Sequence, residues 1–235
     1  TGDGVNDAPA LKQADIGFAM GDGTAVAQEA GDVVILNNSL TSIKDCVLNS
    51  RTMAKSVGKF LIFQLTVNIS TLLMNIIAPI LGWTEPFSIV QILWINLITD
   101  SLPALALGTD VCDGMELMEK EPRRPGESLF AHGGGICTVF YGFLIALISL
   151  TAFLVVPTAL LVGSGRPTAL AGIRKVLEDP MILAHCQTYA FTVLGLSQLF
   201  HAIGMRDVEK SVFRMDPVNN RLMILALAVG FSLQF

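Results

Sequence analysis

Four long apolar runs constrain the fold of this chain more than any other feature of its sequence. They cover about 60–81, 88–108, 136–163 and 186–204, each close to the roughly 20 residues that a helix needs to cross about 30 Å of hydrocarbon. A fifth run at 222–235 is too short to cross, and we interpret it as a truncated span. Charged residues are only 15% of the chain, against about 25% in soluble domains. The sequence therefore predicts an α-helical transmembrane bundle over 60–235.

The Lys and Arg residues indicate how these spans are oriented. Twelve of the fifteen precede the first span or follow the second and fourth spans, whereas Arg166, Arg174 and Lys175 fall on the opposite side. Because cytoplasmic loops carry the excess of Lys and Arg, residues 1–59 and those two loops are predicted to be cytoplasmic. The twelve are Lys12, Lys44, Arg51, Lys55, Lys59, Lys120, Arg123, Arg124, Arg206, Lys210, Arg214 and Arg221.

A loop rich in Gly and Asp lies near the amino-terminal end of the sequence. Gly2 and Gly4 flank Asp3, so the backbone can approach a ligand closely while a carboxylate is presented at a turn. Asn6 or Asp7 then caps a helix. The spacing of Asp3 and Asp7 suits Mg2+ held beside phosphate oxygens, although the same residue types are also ordinary turn and cap residues.

The residues after this loop have the pattern of a soluble α/β layer. Residues 16–20 and 33–36 are short apolar runs bounded by Gly and Asp, which indicates buried parallel strands, and residues 23–30 suit a crossover helix. We interpret 1–38 as the end of a larger doubly wound domain, because so few strands cannot enclose a core. Residues 39–59 are predicted to form a helical stalk that continues into the first span.

Polar groups inside the spans point to a cation site. Asp100 is the only one of the twenty Asp and Glu residues within the four spans, and a carboxylate there needs a partner or a wet cavity. Helical spacing places Asn96, Thr99 and Asp100 on one face, and Pro103 interrupts the helix nearby. Amide, hydroxyl and carboxylate oxygens are the ligands that Ca2+ prefers.

Other spans contribute further polar side chains. In the first span we favour Asn68 as a ligand, while Gln64 and Asn75 can equally hydrogen-bond a neighbouring helix. In the fourth span, Gln198 is a doubtful ligand, and His201 is expected to have a structural or interfacial role. The acidic cluster from Asp110 to Glu127 is interpreted as a solvated loop, with docking against the stalk or the phosphorylation domain as the alternative. The four cysteines, Cys46, Cys112, Cys137 and Cys186, lack metal-site spacing and are expected to be free thiols.

The string TGDGVNDAPALKQADIGFAMG resembles the hinge segment of P-type ATPases, which form an aspartyl-phosphate on a haloacid-dehalogenase-like domain. The resemblance implies that Asp3 is a Mg2+ ligand at the phosphorylation site and that Asn6 and Asp7 lie close to the phosphate and the metal. The family's phosphorylated aspartate, in Asp-Lys-Thr-Gly-Thr, is absent from these residues. We therefore expect a C-terminal fragment whose partner is the N-terminal part of the same polypeptide, and which is inactive alone.

The string LWINLITDSLPALALG resembles the sixth transmembrane helix of calcium pumps within that family. The resemblance implies that Asn96, Thr99 and Asp100 bind the transported cation, and Asn68 matches an asparagine ligand of the fifth helix. Thr71 and Gln198 stand where the sarcoplasmic-reticulum type has glutamates. This pattern is closer to plasma-membrane pumps, so we expect one Ca2+ site and location in the plasma membrane.

The implied activity is an ATP-driven, Mg2+-dependent phosphorylation cycle that exports Ca2+ across the lipid bilayer, with protons returning. A nucleic-acid partner is not expected. Transport of Mn2+, Na+ or another cation is an alternative within the family. A secondary transporter or channel would leave the first loop unexplained, and a soluble phosphatase would leave the membrane spans unexplained.

Overall fold

The computed structural model describes residues 1–110, 114–119, 121, 126–128, 130–131, 133–207 and 220–234. Its contacts divide the chain into two units, Thr1–Ala54 with Cys112–Glu121 and Lys55–Val111 with Pro122–Phe235. The domain boundaries predicted at 38/39 and 59/60 therefore stay predictions. The loop cations Lys120, Arg123, Arg124, Lys210 and Arg214 and the thiol Cys112 lie outside the described residues.

The first unit contains the predicted α/β layer. A 3-10 turn, Val5–Asp7, leads into α1, Ala8–Gln13, and then β1, Phe18–Met20, α2, Ala25–Ala30, and β2, Val33–Ile35, follow along the chain. The two strands are parallel, with Phe18 opposite Val33, and α2 is their crossover helix. Gly2 forms an isolated parallel bridge with Ala19, so the first residues extend the sheet beside β1.

The prediction that both apolar runs are buried is wrong in part. Ala19 and Ile35 are buried at 0% and 6% exposure, but Ile16 and Val34 are 58% and 36% exposed. Ala19 packs with Leu11 of α1 and with α2. Two helices of six residues each are too short to cover both faces of the strands.

A single helix, α3, runs from Leu40 to Ile80 over 41 residues, which corresponds to about 60 Å. This one helix covers residues of both the predicted stalk, 39–59, and the first predicted span, 60–81. Within its apolar part, the hydroxyl of Thr66 donates to the carbonyl of Ile62 at 2.7 Å, and that of Thr71 donates to Val67 at 3.0 Å. These bonds satisfy hydroxyl groups inside the helix without a partner from another segment.

The rest of the described chain is helical. Among the residues that the structure describes, three helices are long and apolar enough to cross a membrane: Leu40–Ile80, Ile89–Gly108 and Gly134–Gly163. The fourth predicted span is a 25-residue helix that is outside this set because its His and Gln residues make it less apolar. The elements are α4, Ile89–Trp94; a π-helical turn, Ile95–Thr99; α5, Ser101–Gly108; α6, Gly114–Glu119; α7, Gly134–Gly163; α8, Leu170–Leu177; α9, Pro180–Gly204; and α10, Arg221–Gln234.

In the second unit, α7 and α9 form the most extensive helix pair, and α10 packs against α5 and α9. The α3 and α7 helices approach closely at Gly142, where an added Cβ would lie 2.8 Å from Cγ2 of Ile69. Phe63, Phe153 and Leu194 are fully buried in the common core. This packing fixes the positions of the polar side chains that the spans carry.

Candidate functional site

The Gly- and Asp-rich loop lies at the carboxyl end of the small parallel sheet. Gly2 donates to the carbonyl of Phe18 at 3.0 Å and accepts from Met20 at 3.1 Å, and the carbonyl of Asp3 accepts from the Thr24 amide at 2.8 Å. The backbone of Asp3 is therefore fixed by neighbouring segments, while the side chain of Asp3 is exposed. Ligands of open α/β sheets bind at this edge, which makes the Asp3 carboxylate available to one.

Asp7 holds the turn that presents Asp3. Its Oδ2 accepts hydrogen bonds from the backbone N–H groups of Asp3 and Gly4, both at 3.0 Å. These bonds hold the pKa of the Asp7 carboxyl below its ordinary value. The bond from Gly4 lowers the pKa most, and the bond from Asp3 comes next. Gly2 is required here because a Cβ on it would lie 2.5 Å from Cβ of Asp7. Asn6, the third predicted residue of this site, is exposed beside them.

A third carboxylate, that of Asp22, lies at the same edge because Asp22 follows β1. The amide side chain of Asn38 donates to it, and the Asp22 N–H donates back to Oδ1 of Asn38 at 3.2 Å. Asn38 has a positive φ of 52°, a conformation that Asn tolerates better than most residues. Asp22 thus closes the turn after β2, and Asp3 is the carboxylate left available to a ligand.

In the second unit, three of the predicted cation ligands, Asn96, Thr99 and Asp100, lie on or directly after an irregular stretch of helix. The α-helical hydrogen bonding of α4 gives way to a π-helical turn at Ile95–Thr99, and the Asp100 amide donates to the carbonyl of Ile95 at 3.0 Å. The helical interruption predicted at Pro103 therefore begins several residues earlier. Pro103 itself lies in the first turn of α5, where its missing N–H leaves the carbonyl of Thr99 without the usual donor. Turns of this kind are frequent at functional sites.

Thr99 and Asp100 are buried at this turn. Thr99 is 2% and Asp100 is 1% exposed, and neither carboxylate oxygen of Asp100 has a hydrogen-bond partner among the described residues. The π-helical turn packs against α9, which carries Gln198 at 1% exposure with both its amide atoms also unpartnered in the described chain. Buried polar atoms are normally paired, so these side chains are available for a ligand.

The remaining predicted ligands are less enclosed. Asn96 is half-buried, and Asn68 is exposed on α3, where Leu65 and Leu72 on either side of it are 38% and 58% exposed. The described part of this chain thus leaves uncovered the face of α3 that carries Asn68. No group of three or more His, Cys, Asp or Glu side chains suited to a metal occurs among the described residues, so a cation site here needs amide and hydroxyl oxygens beside the Asp100 carboxylate.

Two other polar residues of the spans have structural partners. Asn75 donates to the carbonyl of Thr71 at 3.0 Å. The ring of His201 lies 6.0 Å from that of Phe63 and 5.0 Å from that of Tyr141, so it joins α9 to α3 and α7. The ring contacts agree with the structural role expected for His201, whereas the bond of Asn75 lies within its own helix and does not reach a neighbouring one.

The interpretation as a solvated loop is wrong for Asp110, whereas Glu119 and Glu121 of the same acidic cluster are exposed. Asp110 is 6% exposed and accepts from Lys59 Nζ at 3.0 Å, Arg206 Nε at 3.3 Å and Asn220 Nδ2 at 3.0 Å. We call these four residues the Asp110 cluster. For Asp110 the contact with Lys59, the last residue of the predicted stalk, agrees with the alternative of docking against the stalk. The orientation rule explained Lys59 and Arg206, at the ends of apolar spans, without assigning either of them a partner.

Two families of known proteins match this chain, one at each end of the sequence. Residues 84–235 match the family described as Cation transporting ATPase, C-terminus, and residues 1–46 match the family of haloacid dehalogenase-like hydrolases. Calcium-transporting ATPase 1 of Bacillus cereus is 40% identical over 235 residues, which are 100% of this chain and 26% of the relative.

Two further relatives carry similar names. Calcium-transporting ATPase of Bacillus subtilis is 39% identical over 97% of this chain and 23% of its own length. Calcium-transporting ATPase 12, plasma membrane-type, of Arabidopsis thaliana is 37% identical over 100% of this chain and 21% of its own length. The chain thus spans about a quarter of the length of these curated relatives.

Proposed function

Because this chain belongs to the cation-transporting ATPase family, we propose that it is part of a pump that exports Ca2+ from the cytoplasm through an aspartyl-phosphate cycle driven by ATP. The names of its relatives support Ca2+ as the cargo. The observation that carries the proposal is Asp100, whose two carboxylate oxygens are buried without a partner in the described chain. Burying such a group costs free energy, and a bound cation would compensate that cost.

The proposed Ca2+ site consists of Asn96, Thr99 and Asp100 on the π-helical turn, with Gln198 as a further ligand from α9. Ca2+ takes six to eight oxygen ligands, and these side chains offer an amide, a hydroxyl, a carboxylate and a second amide. Asn68 completes the site from α3 when another membrane segment of the pump covers its exposed face. With one carboxylate among these ligands, we infer a single Ca2+ per cycle.

The proposed phosphorylation-site loop consists of Asp3, Asn6 and Asp7. Its donor set fits Mg2+, because the Asp3 carboxylate is exposed at the edge of the sheet and Mg2+ prefers one or two carboxylates together with waters and phosphate oxygens. When bound there, Mg2+ would neutralise charge on the phosphoryl group. Asp7 keeps the turn in shape by accepting from the Asp3 and Gly4 amides, and Asn6 offers an amide to a phosphate oxygen.

The proposal also sets the orientation of the protein in the plasma membrane. The distribution of Lys and Arg supports a cytoplasmic position for residues 1–59, which would give the phosphorylation-site loop access to ATP. Export requires that the affinity for Ca2+ differ between two conformations of the pump. We propose that α3 transmits the change between them and that protons return on the carboxylate that Ca2+ leaves.

The test is the Ca2+ dependence of phosphorylation from ATP in the full-length protein. Asp100→Asn removes the only carboxylate of the proposed site, and we expect the half-maximal Ca2+ concentration to rise on the order of a hundredfold, since Ca2+ affinity follows ligand charge. Asp45→Asn makes the same chemical change at an exposed position of α3 and should leave the Ca2+ dependence unchanged.

Each result has a defined meaning. Undiminished Ca2+ dependence in Asp100→Asn would refute its assignment as a ligand. Phosphorylation of the wild type that responds to Mn2+ or Na+ and not to Ca2+ would refute the choice of cargo. A wild type that transports Ca2+ without forming a phosphoenzyme would favour a secondary transporter.

A further inference from the structure

We infer that the Asp110 cluster is a positioning network that sets the register between α3 and α5 and thereby the cation affinity of the site around Asp100. The inference rests on the proposed function, because it concerns the affinity of the proposed site. None of the four cluster residues is among the proposed Ca2+ ligands. They are Lys59, Asp110, Arg206 and Asn220.

The cluster joins four helices through one carboxylate. Lys59 belongs to α3, Asp110 follows α5, Arg206 follows α9, and Asn220 precedes α10. Asp110 accepts from Lys59 on one oxygen and from Arg206 and Asn220 on the other. Exposures of 7% for Lys59, 6% for Asp110, 8% for Arg206 and 5% for Asn220 show that water screens these interactions little.

Asn220 makes the attachment of α10 to α5 specific. Its Nδ2 also donates to the carbonyl of Ala106 at 2.8 Å, and its Oδ1 accepts from the Met223 amide at 2.9 Å. One side chain therefore caps the start of α10 and bonds to the last turn of α5. Because both amide atoms are used, the position of Asn220 is fixed along both helices.

The positions of the charges along their helices connect the cluster to the cation site. Lys59 precedes Asn68 by nine residues on α3, a distance of about 13 Å along the axis. Asp110 follows Asp100 by ten residues across α5, which is about 15 Å. The ion pair between Lys59 and Asp110 thus holds α3 to the far end of α5. Asn68 lies further along α3, and Asp100 lies at the start of α5.

Because the ion pair is buried, the free energy of the helix bundle depends strongly on the register between α3 and α5. A buried ion pair is tolerated only when its geometry is good and its remaining polar atoms are hydrogen-bonded. Sliding α3 along α5 would leave Lys59 unpaired, and a slip of α5 would leave both Lys59 and Arg206 without the Asp110 carboxylate. The network therefore favours one register strongly over its neighbours, which keeps the proposed ligands aligned.

The test uses the full-length protein in membranes and two phosphorylation reactions. Phosphorylation from ATP measures Ca2+ affinity, and phosphorylation from inorganic phosphate without Ca2+ reports that the protein is folded. We expect Lys59→Met to raise the half-maximal Ca2+ concentration about tenfold while the reaction with phosphate is retained. Lys59→Arg restores a cation and should recover most of the affinity. Lys55→Met, one turn away on α3, is the matched control and should leave both reactions unchanged.

Asp110→Asn provides a second, nearly isosteric variant if Lys59→Met does not fold. It should cause a similar loss of Ca2+ affinity, and the double variant should lose less than the two single effects combined, because both changes break one network. An unchanged Ca2+ dependence in a variant that reacts with phosphate would overturn the inference. Loss of both reactions in both variants would also overturn it, because the cluster would then be a general support of the fold. A wild type without Ca2+-dependent phosphorylation would instead refute the proposed function.

Discussion

The contact between α3 and α7 at Gly142 allows a quantitative prediction about the membrane unit. A Cβ at this position would lie 2.8 Å from Cγ2 and 3.2 Å from Cβ of Ile69. Ile69 is β-branched and cannot rotate freely within a helix, so the two helices must separate to admit an alanine. Overpacking of this kind costs about 1–3 kcal/mol.

The ordinary helix preference of alanine will not offset this cost. Alanine is favoured over glycine by about 1 kcal/mol in helices in water, but a membrane-spanning segment stays helical even when its neighbours have separated, since its backbone groups need partners in lipid. We therefore expect Gly142→Ala to lower the free energy of unfolding by about 1–2 kcal/mol. The measurement is an SDS titration of the full-length protein in mixed micelles.

Two variants isolate the steric cause. Gly58→Ala is the control, because a Cβ there meets nothing within 4 Å, and it should be at least as stable as the wild type, since alanine is favoured over glycine in a helix in water. Ile69→Ala removes the methyl group that Gly142→Ala would meet, so the double variant should lose about 1 kcal/mol less than the sum of the single losses. Equal unfolding of Gly142→Ala and Gly58→Ala would refute the argument, as would simple additivity with Ile69→Ala.

Two further predictions concern the sites themselves. The lowered pKa of Asp7 means that its carboxylate stabilises the loop above the ordinary pKa of about 4, and that this contribution is lost as the pH falls through the lower folded-state pKa. Amide hydrogen exchange at Asp3 and Gly4, corrected for intrinsic rates, should therefore lose protection in that acidic window in the wild type. Asp7→Asn should show weak protection without the same pH dependence, and a parallel pH profile in the two proteins would contradict the assignment. Gln198→Leu removes a buried amide whose atoms are unpartnered in the described chain, so the free energy of unfolding should hold or rise by about 1 kcal/mol. The Ca2+ affinity of phosphorylation should fall in the same variant, and an unchanged affinity would exclude Gln198 as a ligand.

Local sequence patterns predicted much of the architecture. The α/β crossover was predictable because its two apolar runs are bounded by Gly and Asp and separated by a stretch of helical length. The apolar runs likewise predicted the long helices, since their length and composition leave few alternatives. In the first loop, Asp7 precedes α1 as its N-cap residue, but its carboxylate bonds backward to Asp3 and Gly4, which residue type alone does not specify.

Features that depend on distant partners were not predictable in the same way. Asp110 meets Lys59 across 51 residues and Arg206 across 96 residues of sequence. An acidic residue in a charged stretch looks solvated unless those helices are already placed. The π-helical turn was also missed, because one wider turn leaves the apolar pattern of the span almost unchanged. The exposure of Asn68 could not be predicted either, since it depends on what covers that face of α3.

The positions of Asp100 and Asp110 at opposite ends of α5 suggest why one span contains both a regular and an irregular part. The α5 helix is eight residues long, and at its far end the carboxylate of Asp110 is fully hydrogen-bonded, whereas at its start the carboxylate of Asp100 has no partner in the described chain. A site that binds and releases a cation needs ligands that are coordinated in one state of the cycle and uncoordinated in another. A π-helical turn supplies backbone that can change its conformation at a low cost in free energy. Such a turn can serve as a ligand holder only if one end of the helix beyond it is fixed. The Asp110 cluster meets that requirement, because it holds the end of α5 against three other helices, and the turn that carries Asp100 lies at the other end of α5.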